Sequence, residues 1–186
     1  MRILAITGSL RRVSSNTTLL RAIRLLAPAN VEVMLYSGLA DLPGFNPDLE
    51  GVEPSSVLAF RELLKKADGV FISSPEYAHG VPGSLKNALD WIVGSGELVD
   101  KPVAMLNASP LATHAQASLT ETITVMSARV ITEASLTIPI QGKRLDETGI
   151  AADPRLSRLV LTAINALTTA IESSIPNSHD FVESME

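Results

Sequence analysis

The 186-residue chain contains no cysteine. Disulfides, thiolate nucleophiles, iron–sulfur clusters and cysteine zinc sites are excluded with it. Aromatic residues are scarce, at 4% with a single tryptophan. Positive charge is not in excess either. The formal net charge is −5, so nothing favours nucleic acid or an anionic membrane as a partner. No stretch approaches the ~20 apolar residues of a transmembrane helix. The opening run "MRILAITGSL" breaks at Gly8-Ser9, short of a signal-peptide apolar region. A soluble cytoplasmic protein is the expectation. The three histidines, His79, His114 and His179, do not follow the spacing of a metal motif such as HExxH. No local Ser-His-Asp signature is present.

What is there is an apolar chain, 46% hydrophobic and 19% charged, long enough for one domain with a sizeable core. With no repeat or low-complexity linker, residues 1–186 form one predicted domain, with a polar tail from about 176 to 186. Met1 to Thr7, "VEVMLY", "GVFISS", "PVAMLNAS" and "RVITEASLTI" are the five predicted strands. Between them lie helical patterns: "NTTLLRAIRLLA", "PSSVLAFRELLKKA", a segment from about Gly83 to Ile92, and "THAQASLTETITVMSA". "DPRLSRLVLTAINALTTAIESS" closes the chain as a long amphipathic helix. Such alternation predicts an open α/β sheet. Right-handed crossovers on five parallel strands favour the order 2-1-3-4-5, with ligands at the carboxyl ends of the strands near the switch between strands one and three.

Three loops meet there. The first, "TGSLRRVSSNTT", combines Gly8, a row of hydroxyls and amides, Arg11 and Arg12, and a helix amino terminus just behind. Those are the parts of a phosphate cradle, or of an ordinary βα turn with a Ser/Asn cap. It is neither GxGxxG nor a Walker loop, since Val13 and Ser14 stand where GxxxxGK[ST] needs Gly and Lys. The second, "SPEYAHGVPGSLKN" (Ser74 to Asn87), is stiffened by Pro75 and Pro82, with Gly80 and Gly83 expected to admit a close ligand. Its bland alternative is a long turn whose prolines stop a strand and start a helix. In the third, "NASPLATHA", Asn107, Ser109 and Thr113 either close the pocket or cap the next helix. Trp91 is expected in the core or at a subunit contact, and Gly94 to Gly96 at a helix end.

The chain resembles the NADPH-dependent FMN reductase family of flavodoxin-like proteins, which includes quinone, chromate and azo-dye reductases. "GSLRRVSSN" is similar to the family's G-S-L-R-x-x-S-x-N loop, with Ser14 and Ser15 both candidates for its serine. "SPEYAHGVPGSLKNALDW" is similar to S-P-E-Y-N-x-x-x-P-G-x-L-K-N-A-I-D-W, and "LPGFNPDLE" to L-P-x-x-N-x-D-L-E. The likeness runs to about Ser109. Two departures stand out. Ala78 replaces the usual Asn, and "SPLATHAQ" replaces a glycine-rich third loop followed by Arg.

The resemblance implies a flavodoxin-like three-layer sandwich that binds FMN and uses NADPH or NADH. Ser9, Arg11, Ser14 or Ser15, Asn16 and Thr17 would hold the FMN phosphate. Pro75, Glu76, Tyr77 and Ala78 would pass along the flavin ring, with the Gly80 backbone near it and Ser109 at its edge. The flavin carries the redox chemistry, so no catalytic side chain and no metal are expected. Hydride would pass to bound flavin and then, by ping-pong turnover, to free flavin, a quinone or another small acceptor. A homodimer or a dimer of dimers is implied. The competing expectations are a flavodoxin-type electron carrier and a non-flavin phosphate-binding α/β module. Mild acidity and few aromatics weigh against the carrier.

Overall fold

The structure is a computed structural model and describes residues 1–174. The predicted polar tail lies outside the described residues. Five parallel strands form one sheet: β1 (Arg2–Thr7), β2 (Glu32–Tyr36), β3 (Gly69–Ser73), β4 (Pro102–Leu106) and β5 (Arg129–Val130). Their order is β2-β1-β3-β4-β5, the expected arrangement.

Alternation along the central strands sorts side chains into two cores. Leu4, Ile6, Val70, Ile72, Val103 and Met105 face α2 (Ser55–Lys66), α3 (Gly83–Val93) and α4 (Thr113–Val125). Ile3, Ala5, Phe71, Ala104 and Leu106 face α1 (Ser15–Leu26), α5 (Glu147–Ala152) and α6 (Pro154–Glu172). β3 and β4 are buried along their whole length, which is why they read as unbroken apolar runs. Each fully buried Leu, Ile or Phe side chain contributes about 1.5–3 kcal/mol against the cost of ordering it. Trp91 is also core: its ring meets Phe45 edge-on at 5.2 Å, and its indole N–H donates to the Pro43 carbonyl over 2.8 Å. It is therefore closed off as a subunit contact. The Gly94 to Gly96 segment follows the end of α3, as expected.

Two expectations need correction. The fifth strand is two residues long, not ten. After Ile131 the chain turns through a 3-10 helix (Thr132–Ala134), which buries Ala134 completely in the core on the α6 side. The hydrogen bonds that a longer strand would have made are supplied otherwise. Ser135 Oγ accepts the Met105 N–H, and pairing resumes where the Ile138 N–H donates to the Asn107 carbonyl. The second correction is α5, a helix absent from the sequence reading. Asp146 caps it by accepting the Gly149 N–H over 2.7 Å, but Gly149 inside the turn hid the pattern. Asp153 then caps α6 through the N–H groups of Arg155 and Leu156, with Pro154 in the first turn.

Gly69 opens β3 against a crowded wall. A Cβ there would lie 2.7 Å from Ile171 Cδ1 and 3.2 Å from the Pro102 carbonyl. Gly69→Ala is expected to cost about 1–3 kcal/mol in urea denaturation. Adding Ile171→Val, which deletes that Cδ1, should make the double variant less destabilised than the sum of the singles. Strict additivity would remove Ile171 as the source of the clash.

Candidate active site

β1, β3 and β4 end together, and the loops leaving them enclose a cavity of about 300 Å³. That is the lower end of the range for small-molecule sites. Ser9, Arg11, Ser14, Ser15 and Asn16 line it from the first loop, Pro75, Glu76 and Tyr77 from the second, and Ser109 from the third. Nine of the twelve candidate residues are thus brought together.

The first loop is held by its own hydroxyls. The Ser9 N–H donates to Thr7 Oγ1 and the Arg11 N–H to Ser9 Oγ, each at 3.3 Å. Thr17 sits behind, its Oγ1 3.1 Å from that of Thr7, and does not reach the cavity. Ser14 takes the cap position of α1 but makes no side-chain cap, and the first turn holds no acidic residue. Among the described residues, the N–H groups of that turn therefore stay open and the hydroxyls of Ser14 and Ser15 have no protein partner. An open helix amino terminus with its dipole is an anion site. Asn16 is divided: its Oδ1 accepts the hydroxyl of fully buried Ser73 over 2.9 Å, while its amide N–H₂ has no partner among the described residues.

The contrast with α4 is informative. There Glu76 Oε2 accepts the Ala115 N–H over 2.9 Å, so the helix amino terminus is already occupied by a carboxylate of this chain. That N–H first, then the His114 N–H and the two nearby imidazoles, holds the Glu76 carboxyl below the usual carboxylate range. A depressed carboxyl gives stability that is present above its ordinary range and lost as pH falls through its folded value. Between the two helices only α1 offers an open terminus to this cavity.

The second loop ends in a tight hairpin. Tyr77 and Gly80 exchange backbone hydrogen bonds at 3.1 and 2.9 Å, and the residues between them, Ala78 and His79, have φ of 49° and 59°. Two left-handed residues make a type I′ turn, which suits Asn and Gly far better than Ala and His. Ala78 and Gly80 lie outside the cavity lining. A Cβ on Gly80 would meet only the Tyr77 carbonyl at 3.6 Å, and on Gly83 nothing within 4 Å, so the chain's own atoms crowd neither position. The tight place is Gly8, where a Cβ would fall 2.5 Å from Ser74 Oγ and 3.0 Å from its Cβ.

In the third loop Asn107 is scaffold. Its Nδ2 donates to the Ala112 carbonyl and its Oδ1 accepts the Ser109 N–H, both at 2.9 Å, which holds the loop in a ring. Ser109 and Leu111 line the cavity, whereas Thr113 begins α4 outside it. Gln141 was missed altogether. Its backbone N–H bonds the Ala108 carbonyl over 3.1 Å, bringing the segment after β5 to the cavity. Only attention to the carboxyl end of the fifth strand would have found it.

A family model, NADPH-dependent FMN reductase, matches residues 1–142. The chain belongs to that family. Among curated relatives, the quinone reductase of Escherichia coli K12 is 40% identical over 106 residues. The match covers 56% of this chain and 55% of that protein, so the chain spans about half the length of that relative. An NAD(P)H-dependent FMN reductase of Pseudomonas aeruginosa is 29% identical over 173 residues, covering 90% of this chain and 93% of that one. Among solved structures, the flavoenzyme NAD(P)H:(acceptor) oxidoreductase FerB from Paracoccus denitrificans superposes with a TM-score of 0.83 at 28% identity, covering 92% and 97% of the two chains.

The family's Asn at the Ala78 position fits the left-handed turn. Ala78→Asn is expected to stabilise by about 0.5–1 kcal/mol, read as a Tm higher by about 1–4 °C. No gain would mean that the turn is not strained in solution.

Proposed function

We propose that this chain is an NAD(P)H-dependent FMN oxidoreductase acting on free flavin, quinones or similar small acceptors. One observation carries the reading. The uncapped amino terminus of α1, with Arg11 and the serines before it, opens into the same cavity as the Pro75–Tyr77 wall. That pairing suits a ligand with a phosphate at one end and a flat, apolar body at the other.

The residues fit FMN in chemistry. Ser9, Arg11, Ser14, Ser15 and Asn16, with the free N–H groups of α1, would hold the phosphate. Thr17 would contribute through Thr7 rather than by contact. Pro75, Glu76 and Tyr77 would flank the ring, and Ser109 and Gln141 its edge. Ala78 and Gly80 would act indirectly, through the hairpin that sets Tyr77. Bound there, FMN supplies hydride chemistry, taking electrons from NADPH or NADH and yielding them to the acceptor in ping-pong turnover. The chain's own part is to bind, orient and exclude water. Backbone N–H groups stabilise negative charge developing near them. Tyr77 is the one aromatic lining the cavity, which leaves a ring face open to exchange of donor and acceptor and disfavours the electron-carrier reading.

A homodimer or dimer of dimers belongs to the same reading. Leu10, Val13 and Leu111, on the cavity loops, are largely exposed apolar side chains suited to a partner copy. A cytoplasmic location belongs to it too. No helix among the described residues is long and apolar enough to cross a membrane.

Purified protein loaded with FMN and desalted should absorb near ~370 and ~450 nm and bleach on anaerobic NADPH or NADH. A yellow protein that neither donor bleaches would count for a carrier, and a colourless one against flavin altogether. Asn16→Asp probes the phosphate end specifically. The carboxylate keeps the Ser73 bond and favours the α1 dipole, so Tm should hold or rise. FMN affinity should nevertheless drop at least about tenfold through charge repulsion. Arg11→Ala should weaken FMN by about 1–3 kcal/mol, the scale of a charged hydrogen bond, and unchanged affinity would remove Arg11 from the site.

A further inference from the structure

A cluster of titratable groups stands at the cavity's second wall, and two of its members, His79 and His114, have no part in the chemistry above. Glu76 Oε1 lies 3.2 Å from His79 Nδ1, and the rings of His79 and His114 meet edge to face with centroids 4.4 Å apart. His79 belongs to the hairpin of the second loop and His114 to the first turn of α4. With Glu76 Oε2 on the Ala115 N–H, the three side chains span two loops on separate strands. They bind the Pro75–Tyr77 wall of the cavity to the helix that follows the third loop.

The geometry points to a proton-operated latch: Glu76, His79 and His114 together position the Pro75–Tyr77 wall against α4, and they do so more firmly when the His79 imidazole carries a proton toward Glu76. The inference rests on the flavin reading only for what the wall touches. Histidine is the side chain whose ordinary titration falls between about pH 5 and 8. Glu76 is held ionised by backbone N–H groups throughout that range. Its second oxygen therefore presents a standing negative charge to His79. A proton on His79 turns a neutral contact into a charge-assisted one. The same proton faces the ring of His114, and a second proton on His114 would put like charges side by side while remaining attracted to Glu76.

Among the described residues, the charges acting on Glu76 are those of the two imidazoles, and the cation that shares its cavity is Arg11 of the first loop. Tyr77 beside His79 is an exposed phenol. The next charged side chain on α4 is Glu121, about 10 Å further along the helix. On α3, Lys86 is engaged with Asp90. The direction follows from the Glu76 contact, which is charge-assisted with a proton on His79 and neutral on the imidazole side without one.

The backbone makes the latch consequential. His79 holds a left-handed conformation that a histidine rarely adopts, in a turn whose other central residue, Ala78, does the same. Such a turn persists where its surroundings over-determine it, and the Glu76 and His114 contacts are the ones that do so. His79 and His114 are positioning residues on this account, since neither lines the cavity.

The test begins without flavin. Imidazole resonances of the labelled apo protein are followed from about pH 5 to 8 in the native chain, in His79→Asn and in Glu76→Gln. Asn suits the left-handed turn, so His79→Asn keeps the backbone while deleting the imidazole. The titration of His114 should move in both variants. FMN dissociation constants are then measured at about pH 5.5 and about pH 8 for the native chain and His79→Asn. Taking the ratio of the two proteins cancels the titration of the FMN phosphate itself.

The native chain should lose about two- to tenfold more affinity than the variant between those values, the scale of one hydrogen bond. A His114 titration indifferent to His79→Asn, or a pH dependence identical in both proteins, overturns the latch. Coupled histidines in a chain that binds FMN at neither pH overturn the flavin reading and, with it, the latch's service to that ligand. Uncoupled histidines with normal FMN binding overturn the latch alone.

Discussion

The site depends on how closely the first loop can lie upon the end of β3. The Gly8 N–H donates to the Ser73 carbonyl over 2.8 Å, and the Ser73 hydroxyl reaches on to Asn16 in the first turn of α1. Ser73 is fully buried, so its hydroxyl must find a partner or incur an unmade hydrogen bond. Asn16 satisfies it and in doing so fixes where α1 begins. Gly8 makes the approach possible, since any side chain there would meet Ser74. A glycine, a buried serine and an asparagine thus determine the height and direction of an open helix amino terminus. The cavity is the space that this placement leaves between three strand ends.

From that constraint follows a division of labour between helix termini. α1 and α4 both start at the carboxyl edge of the sheet, and each could in principle attract an anion. The chain fills one from within, through Glu76, and leaves the other open. A ligand with a single anionic end then has one orientation available. Glu76, which the family resemblance placed along the flavin ring, serves that orientation by closing off the wrong end while supporting the wall beside it.

Much of this was legible because the informative residues impose local rules. Buried parallel strands have to be apolar throughout, so β1, β3 and β4 could be read directly, and the long αβ alternation left few topologies. Asp153-Pro154 announced α6 in the same way. The first loop was legible as a cavity wall because Ser, Asn and Gly cluster where a strand becomes a helix. What escaped depends on tertiary competition. The fifth strand is cut short because Ala134 gains burial against α6, and Ser135 makes the lost bond good, neither of which leaves a mark on "RVITEASLTI". The chain's own close packing falls on Gly8, a matter of which segment overlies which. Gln141 arrives from beyond β5, 32 residues after Ser109, near which the family likeness ends, by way of a backbone bond to Ala108. No spacing rule encodes that.

A net charge of −5 seems at odds with a site argued to hold a dianion. The two operate over different distances. Charges spread over the surface are screened beyond a Debye length of about 8 Å in physiological salt. Hydrogen bonds to the ligand act within about 3 Å, where no ions intervene. At that range the proposed ligand would meet the N–H groups of α1, the serine hydroxyls and Arg11, and no acidic residue in the first turn of the helix would oppose it. Overall acidity then acts as a filter. It gives no general attraction to polyanions, which need a broad basic footprint, and leaves a single small anion to be selected by geometry. A protein of net negative charge could hold phosphate in this way because what matters is the direction of a few N–H groups, and those are set by Gly8, Ser73 and Asn16.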